Sequence, residues 1–215
     1  MTTGRTRPAP TLDALRRRAA TCTACDLYKR ATRTVFGEGP AGASMVLVGE
    51  QPGHEEDLTG RPFVGPAGRL LDRALAEAGI DRRRVYVTNA VKHFKWGPHK
   101  GGKRRIHERP NRGEVEACHP WLDQELWLIR PEVLVCLGVT AASAVLERRV
   151  TIRGNRGRAL VSPHGIPTFV TVHPSAILRI PSGRDREAET HRLADDLRRA
   201  ARGRTLRERL EETTR

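Results

Sequence analysis

The sequence predicts an α/β fold, a three-layer α/β/α sandwich around a central, mainly parallel four-stranded sheet. Three observations carry this. Four short, continuous apolar runs recur along the chain, segments with apolar residues at helical spacing lie between them, and each run stops at glycine or a polar residue. Continuous rather than alternating apolar strands belong to a sheet covered on both faces, and alternation with helices makes the sheet parallel. At 215 residues, 38% of them hydrophobic, the chain has material for one domain with a real core.

Each element follows from its own pattern. Residues 11–22 predict a short helix, with Leu12 and Leu15 on one side and Arg16 to Arg18 behind them. Met45-Val46-Leu47-Val48, stopping at Gly49, is the first strand. Residues 66–79 predict a helix: proline at the start, Leu70, Leu71, Leu75 and Ala78 at helical spacing, glycine at the end. Val85-Tyr86-Val87-Thr88 is the second strand, and residues 92–112 read as a long polar loop. Residues 113–129 are helical, with Val115, Trp121, Leu122, Leu126 and Leu128 supplying the apolar face. Val133-Leu134-Val135-Cys136-Leu137 is the third strand, followed by a helix over 139–146. Thr168-Phe169-Val170-Thr171-Val172 is the fourth, and residues 187–202 form the closing helix. This sets a domain over 11–202, with a flexible tail at 1–10 and a solvated helical extension at 203–215.

Lys and Arg number 39 against 25 Asp and Glu, a net charge of +14. Such an excess points to a polyanionic partner, nucleic acid first. No apolar run approaches the ~18 residues of a membrane span. Residues 1–10 carry Arg5 and Arg7 but no apolar stretch, unlike a secretory signal. A monomeric, cytoplasmic protein is expected.

In a parallel α/β sheet, ligands bind in the crevice at the carboxyl ends of the strands. The first strand runs into Gly49-Glu50-Gln51-Pro52-Gly53, the second into Asn89, the third into Gly138 and the fourth into His173-Pro174-Ser175. Glycine, proline and asparagine are ordinary turn residues. Glu50, Gln51 and His173 fit that explanation less well and mark this edge as the candidate site.

Cys22 and Cys25 form a C-x-x-C pair, while Cys118 and Cys136 stand alone. Structural disulfides are not expected inside a cell. The pair suits a zinc site, an iron–sulfur cluster or a redox dithiol, and the strand-to-helix context of a thioredoxin-like dithiol is missing. A metal site needs four ligands. Cys22, Cys25 and Cys118 supply three, and Cys136, His93, His99 or His119 could supply the fourth. Cys136 lies within an apolar strand, where a thiol acts as a small hydrophobe. Composition does not separate zinc from iron–sulfur.

Residues 100–112 hold six Lys or Arg against one Glu. Gly101-Gly102 followed by Lys103-Arg104-Arg105 can reach along a phosphate backbone. His107 stands among these cations, which should disfavour imidazolium and leave a neutral nitrogen near pH 7.

Gly49-Glu50-Gln51-Pro52-Gly53-His54-Glu55-Glu56-Asp57 with Gly60-Arg61-Pro62-Phe63-Val64-Gly65-Pro66-Ala67-Gly68 resembles the first motif of the uracil-DNA glycosylase superfamily. His173-Pro174-Ser175 resembles its second. The likeness to the iron–sulfur, family 4-like branch extends from Cys22 to about Arg198. Gln51 after Glu50, and the inserted Lys103-Arg104-Arg105-Ile106-His107, look like the DNA-crosslinking UdgX group. His54 departs from the pattern, standing where these motifs carry an acidic or other polar residue.

The resemblance implies a 4Fe-4S cluster held by Cys22, Cys25, His93 and Cys118, with Cys136 in the core. It implies uracil-containing DNA as substrate, single strands preferred, with the base flipped out of the stack. Phe63 would stack on the base and Asn89 would bond its polar edge, helped by backbone groups around Gly49 and Gly53. His173, next to Ser175, would stabilise charge developing on uracil O2. Glu50 and Gln51 would position the sugar or a water. His107 would attack the deoxyribose C1′ and leave a lasting crosslink, with Lys103, Arg104 and Arg105 on phosphate or orienting the loop. The alternatives are ordinary hydrolytic excision and a cluster-bearing DNA-binding module without chemistry.

Overall fold

The computed structural model describes residues 11–98 and 105–203. The two tails, and Lys103 and Arg104 of the basic segment, lie outside the described residues.

The apolar runs form a parallel ladder. Strands β1 (Met45–Gly49), β2 (Val85–Asn89), β5 (Val133–Leu137) and β7 (Pro167–Thr171) are wholly buried. They pair in parallel in the order β2-β1-β5-β7, with Gly49 opposite Asn89. Alternate side chains of one strand feed opposite cores. Val46, Val48, Leu134, Cys136 and Val170 face one cluster with Leu122, Leu126, Ala141 and Val145. Met45, Leu47, Val85, Val87, Val133 and Val135 face another with Leu71, Leu75, Leu193 and Leu197. The strands read as continuous apolar runs because both faces are covered.

The helices that cover them carry the expected signals. α1 (Leu12–Ala19) is capped by Thr11, whose hydroxyl accepts from Ala14 N–H. α3 (Pro66–Glu77) starts on proline. α4 (Arg112–Ile129) opens with a reciprocal capping box between Asn111 and Glu114. α5 (Val139–Leu146) follows β5 directly, and α8 (Gly183–Arg202) is capped by Ser182. Short helices α2 (His54–Thr59), α6 (Ile152–Asn155) and α7 (Pro174–Leu178) complete the set. No helix among the described residues is long and apolar enough to cross a membrane.

Two expectations are corrected. The sheet has five strands, not four: β6 (Ala159–Val161) pairs antiparallel with β7 at the edge. Ala159-Leu160-Val161 is apolar but only three residues long, with both end residues exposed, too short a run to read as a strand. Residues 92–112 are not simply a polar loop. They contain an antiparallel hairpin of β3 (Trp96–Pro98) and β4 (Arg105–His107), with Trp96 opposite His107, and the first residue of α4.

The chain steps from β1 out to β2, then returns to place β5 on the other side of β1. That reversal is the topological switch point, where α/β sheets open a crevice. Glu50 leaves β1 at this point.

Candidate active site

Gly49 explains how the slot is built. A Cβ there would stand 2.4 Å from Asn89 Oδ1 and 2.6 Å from Phe63 Cζ, so only glycine lets the ring and the amide converge over β1. Phe63 holds a left-handed backbone (φ 56°), a conformation that costs a non-glycine residue about 1–3 kcal/mol. Gly68 permits it: a Cβ at Gly68 would fall 1.7 Å from the Phe63 carbonyl oxygen. The Phe63 ring lies 6.2 Å from the His173 ring. Asn89 is buried, and its Oδ1 has no hydrogen-bond partner. An orphaned buried acceptor is costly unless a ligand donates to it. A ring face beside an unpartnered amide oxygen suits a flat heterocycle that carries an N–H.

His173 caps α7. Its Nδ1 accepts from the Ser175 backbone N–H at 3.1 Å and lies 2.8 Å from Ser175 Oγ. Accepting at Nδ1 places the neutral ring's proton on Nε2. Burial, with the charges of His107 and Arg179 adding to it, pushes the His173 pKa down to about 4. It is therefore a neutral donor near pH 7. Arg179, overlooked in the sequence among many arginines, reaches Ser175 Oγ at 3.3 Å and acts electrostatically on both histidines.

Glu50 is bracketed. Thr140, at the start of α5, donates its hydroxyl to Oε2, and Arg109 Nε stands 3.7 Å from the same oxygen and 3.2 Å from Thr140 Oγ1. Oε1 faces His107 Nε2 at 3.7 Å. Thr140 and Arg109 were also missed, although a polar residue just after the β5 strand end is a readable signal.

His107 comes to this edge on the hairpin. Burial lowers its pKa, with Glu50 opposing and Arg179 reinforcing. The direction is the expected one; the leading cause is desolvation rather than neighbouring cations.

Two side chains anchor the hairpin. Gln51 is buried and uses its amide there: Nε2 donates to the carbonyls of Lys95 (3.1 Å) and Glu108 (3.0 Å), and Oε1 accepts from Lys95 N–H (3.1 Å). Arg105 donates to Asp57 Oδ2 (2.6 Å), Thr32 Oγ1 (3.2 Å) and, from Nε, His54 Nδ1 (3.0 Å). Its guanidinium lies 5.4 Å from both the Phe94 and Trp96 ring centres. His54, the departure from the motif, is thus an acceptor for Arg105. Gly53 caps α2 and leaves room for Glu56, which holds Gly65 N–H at 2.8 Å.

The cysteines gather away from this slot. Cys22 accepts from Trp121 Nε1 and Cys118 from Lys92 N–H, each at 3.2 Å. Cys25 packs in the same apolar cluster as Cys118. Burial, with the charges of the other thiols adding to it, raises the pKa of Cys25 and that of Cys118, the latter to about 11. Buried thiols resist ionisation unless a metal supplies positive charge. His93 is buried; its Nε2 lies 2.8 Å from Thr34 Oγ1, and its Nδ1 has no partner. Cys136 is fully buried in β5, and burial raises its pKa steeply. Among the described residues, no three His, Cys, Asp or Glu side chains close on a single metal ion. A four-iron cube takes one ligand per corner and spreads its ligands wider.

Residues 36–198 match the family model described as the uracil DNA glycosylase superfamily. The chain is 40% identical over 163 residues to a type-4 uracil-DNA glycosylase of Thermotoga maritima, covering 75% of this chain and 80% of that one. It is 36% identical over 168 residues to a type-4 uracil-DNA glycosylase of Pyrobaculum aerophilum, covering 75% and 81%. A type-5 uracil-DNA glycosylase of the same organism is 33% identical over 179 residues, covering 76% and 73%.

Proposed function

Since the chain belongs to the uracil-DNA glycosylase superfamily, we propose that it excises uracil from DNA in the manner of the type-4 enzymes, as a step of DNA repair. The observation that carries this reading is the unpartnered Asn89 Oδ1 beside the Phe63 ring. A flipped uracil would stack on Phe63 and donate its N3–H to that oxygen. His173 Nε2–H would donate to O2 as the N1–C1′ bond breaks and negative charge moves onto the base. A neutral donor already in place costs no reorganisation at that moment. Water, oriented by the Glu50 carboxylate, forms the new bond to C1′ as uracil leaves with the glycosidic pair, and gives its proton to that carboxylate. Single strands are the favoured substrate, because flipping a base from a single strand costs least.

A second reading is favoured by one observation: His107 Nε2 stands 3.7 Å from Glu50, on a hairpin clamped by Gln51 and Arg105. Here His107 replaces water. A lone pair of its imidazole forms a bond to C1′, the glycosidic pair leaves with uracil, and the ring's remaining N–H proton goes to solvent. The product is a lasting protein–DNA adduct.

A 4Fe-4S cluster would be held by Cys22, Cys25, Cys118 and His93 through its orphaned Nδ1. When bound, it supplies the positive charge that ionises the buried thiols and ties the 22–25 segment to α4.

One experiment separates the readings. Protein is mixed with a labelled single-stranded oligonucleotide carrying one uracil and boiled in SDS. Free oligonucleotide that breaks in hot alkali means hydrolytic excision. A shifted band that vanishes with His107→Ala means capture. Absence of both signals overturns the uracil reading.

A further inference from the structure

Lys92 and Glu125 form a fully buried ion pair behind the base slot, which it meets at the backbone of Asn89. The Lys92 ammonium has three donors, and all are engaged: one on Glu125, one on Thr88 Oγ1 at 2.7 Å, one on the Asn89 carbonyl at 2.8 Å. Glu125 also accepts from Tyr86 Oη (2.7 Å), Gly37 N–H (3.0 Å) and Thr88 Oγ1 (2.9 Å to Oε2). Desolvating two charges offsets much of their attraction, and apolar replacements of buried pairs are often as stable. Stability therefore does not account for the charges.

Geometry does. Asn89 is the last residue of β2, so strand pairing orders it from one side only. Past it the chain turns, with Ala90 N–H on the Gly49 carbonyl and Val91 N–H on that of Glu50. The Asn89 carbonyl is held by the Lys92 ammonium, which thereby closes the turn from within. We propose that Lys92 and Glu125 are positioning residues: they lock the backbone of Asn89 so that its Oδ1 stays on the base edge, and so set base recognition. The inference rests on the reading that Asn89 receives uracil.

A displacement near 1 Å at such a point costs about 100-fold in rate. The test is the double variant Lys92→Met/Glu125→Gln. It removes both charges together and keeps an acceptor for Tyr86 and Gly37. Tyr86→Phe is the control, deleting one bond to Glu125 on the side away from Asn89. Three quantities are read: single-turnover uracil release, inhibition by free uracil, and half-saturation by the oligonucleotide. The double variant is expected to release uracil about 100-fold more slowly and to be inhibited by uracil about tenfold more weakly, the worth of one hydrogen bond. Half-saturation stays unchanged, and Tyr86→Phe matches wild type. A folded double variant with wild-type rate and wild-type uracil inhibition overturns the inference. If the double variant does not fold, Thr88→Val removes the hydroxyl between Lys92 and Glu125 without changing charge. It should weaken uracil inhibition in the same direction, and an unchanged value again overturns the inference. Wild-type protein that neither releases uracil nor is inhibited by it overturns the base-slot reading itself, and this inference with it.

Discussion

His107 Nε2 faces Glu50 Oε1 at 3.7 Å, although the two side chains reach that point from separate structures, a hairpin strand and the end of β1. Glu50 is braced from behind by Thr140 and Arg109, which hold Oε2 and leave Oε1 toward His107. It can serve either nucleophile, water or imidazole. Glu50→Gln keeps the acceptor and loses the charge. Single-turnover uracil release should fall by about 10²–10⁴, the usual worth of a positioned base. A rate unchanged by Glu50→Gln would remove Glu50 from the chemistry.

Gln51 predicts a separable effect. Its amide makes three hydrogen bonds to the ends of the hairpin and none to the slot among the described residues. Gln51→Ala takes the partner from the Lys95 N–H and the Glu108 carbonyl, a cost of about 1–3 kcal/mol each where they stay dry, while the Lys95 carbonyl keeps the Glu108 N–H. Amide exchange at Gly97 and Ile106 should quicken. Hydrolytic excision should survive, and any capture through His107 should be lost. Loss of both would place Gln51 on the substrate instead.

Much of this was legible in the sequence, and the gaps have physical causes. The four parallel strands are continuous apolar runs, visible because both faces are buried. Their carboxyl ends carry Glu50, Asn89 and His173, so the site edge follows from the fold class. The hairpin was hidden because Arg105-Ile106-His107 is too short to show a period; it is ordered by partners outside the strand, Gln51 on its flanking backbone and Asp57 on Arg105. Thr140 sits among small apolar residues of α5 and gains a role only once α5 abuts Glu50. Arg109 and Arg179 are two of 39 basic residues, and nothing local sets them apart.

Arg105 should prove a stability residue before a DNA contact. Its partner Asp57 is fully buried and also accepts from Thr32 N–H at 2.9 Å. Arg105→Ala strands that carboxylate, at about 3 kcal/mol, read as a lower urea midpoint with unchanged slope. Arg105→Lys keeps the charge but cannot reach Asp57, His54 and Thr32 together, so it should recover only part. A full recovery by lysine would mean that the fork geometry is irrelevant.

The His173 ring makes a prediction about pH. Its pKa is about 4 in the fold, against about 6.5 unfolded, because burial penalises the imidazolium and His107 and Arg179 repel it. Between those values the unfolded chain binds the extra proton, so stability rises with pH. The contribution is fully present above pH 6.5, erodes as pH falls, and is gone by about pH 4; its size is about 3 kcal/mol. His107 and His93 are shifted the same way and His191 the opposite way, so wild type alone does not isolate it. Urea midpoints for wild type and His173→Gln from pH 7.5 to 4 do. Gln carries no titrating proton, so the gap between the two curves should narrow or invert toward acid in the variant's favour. Parallel curves would mean that His173 is not held neutral. The same neutrality lets Nε2–H donate to a developing oxyanion at pH 7.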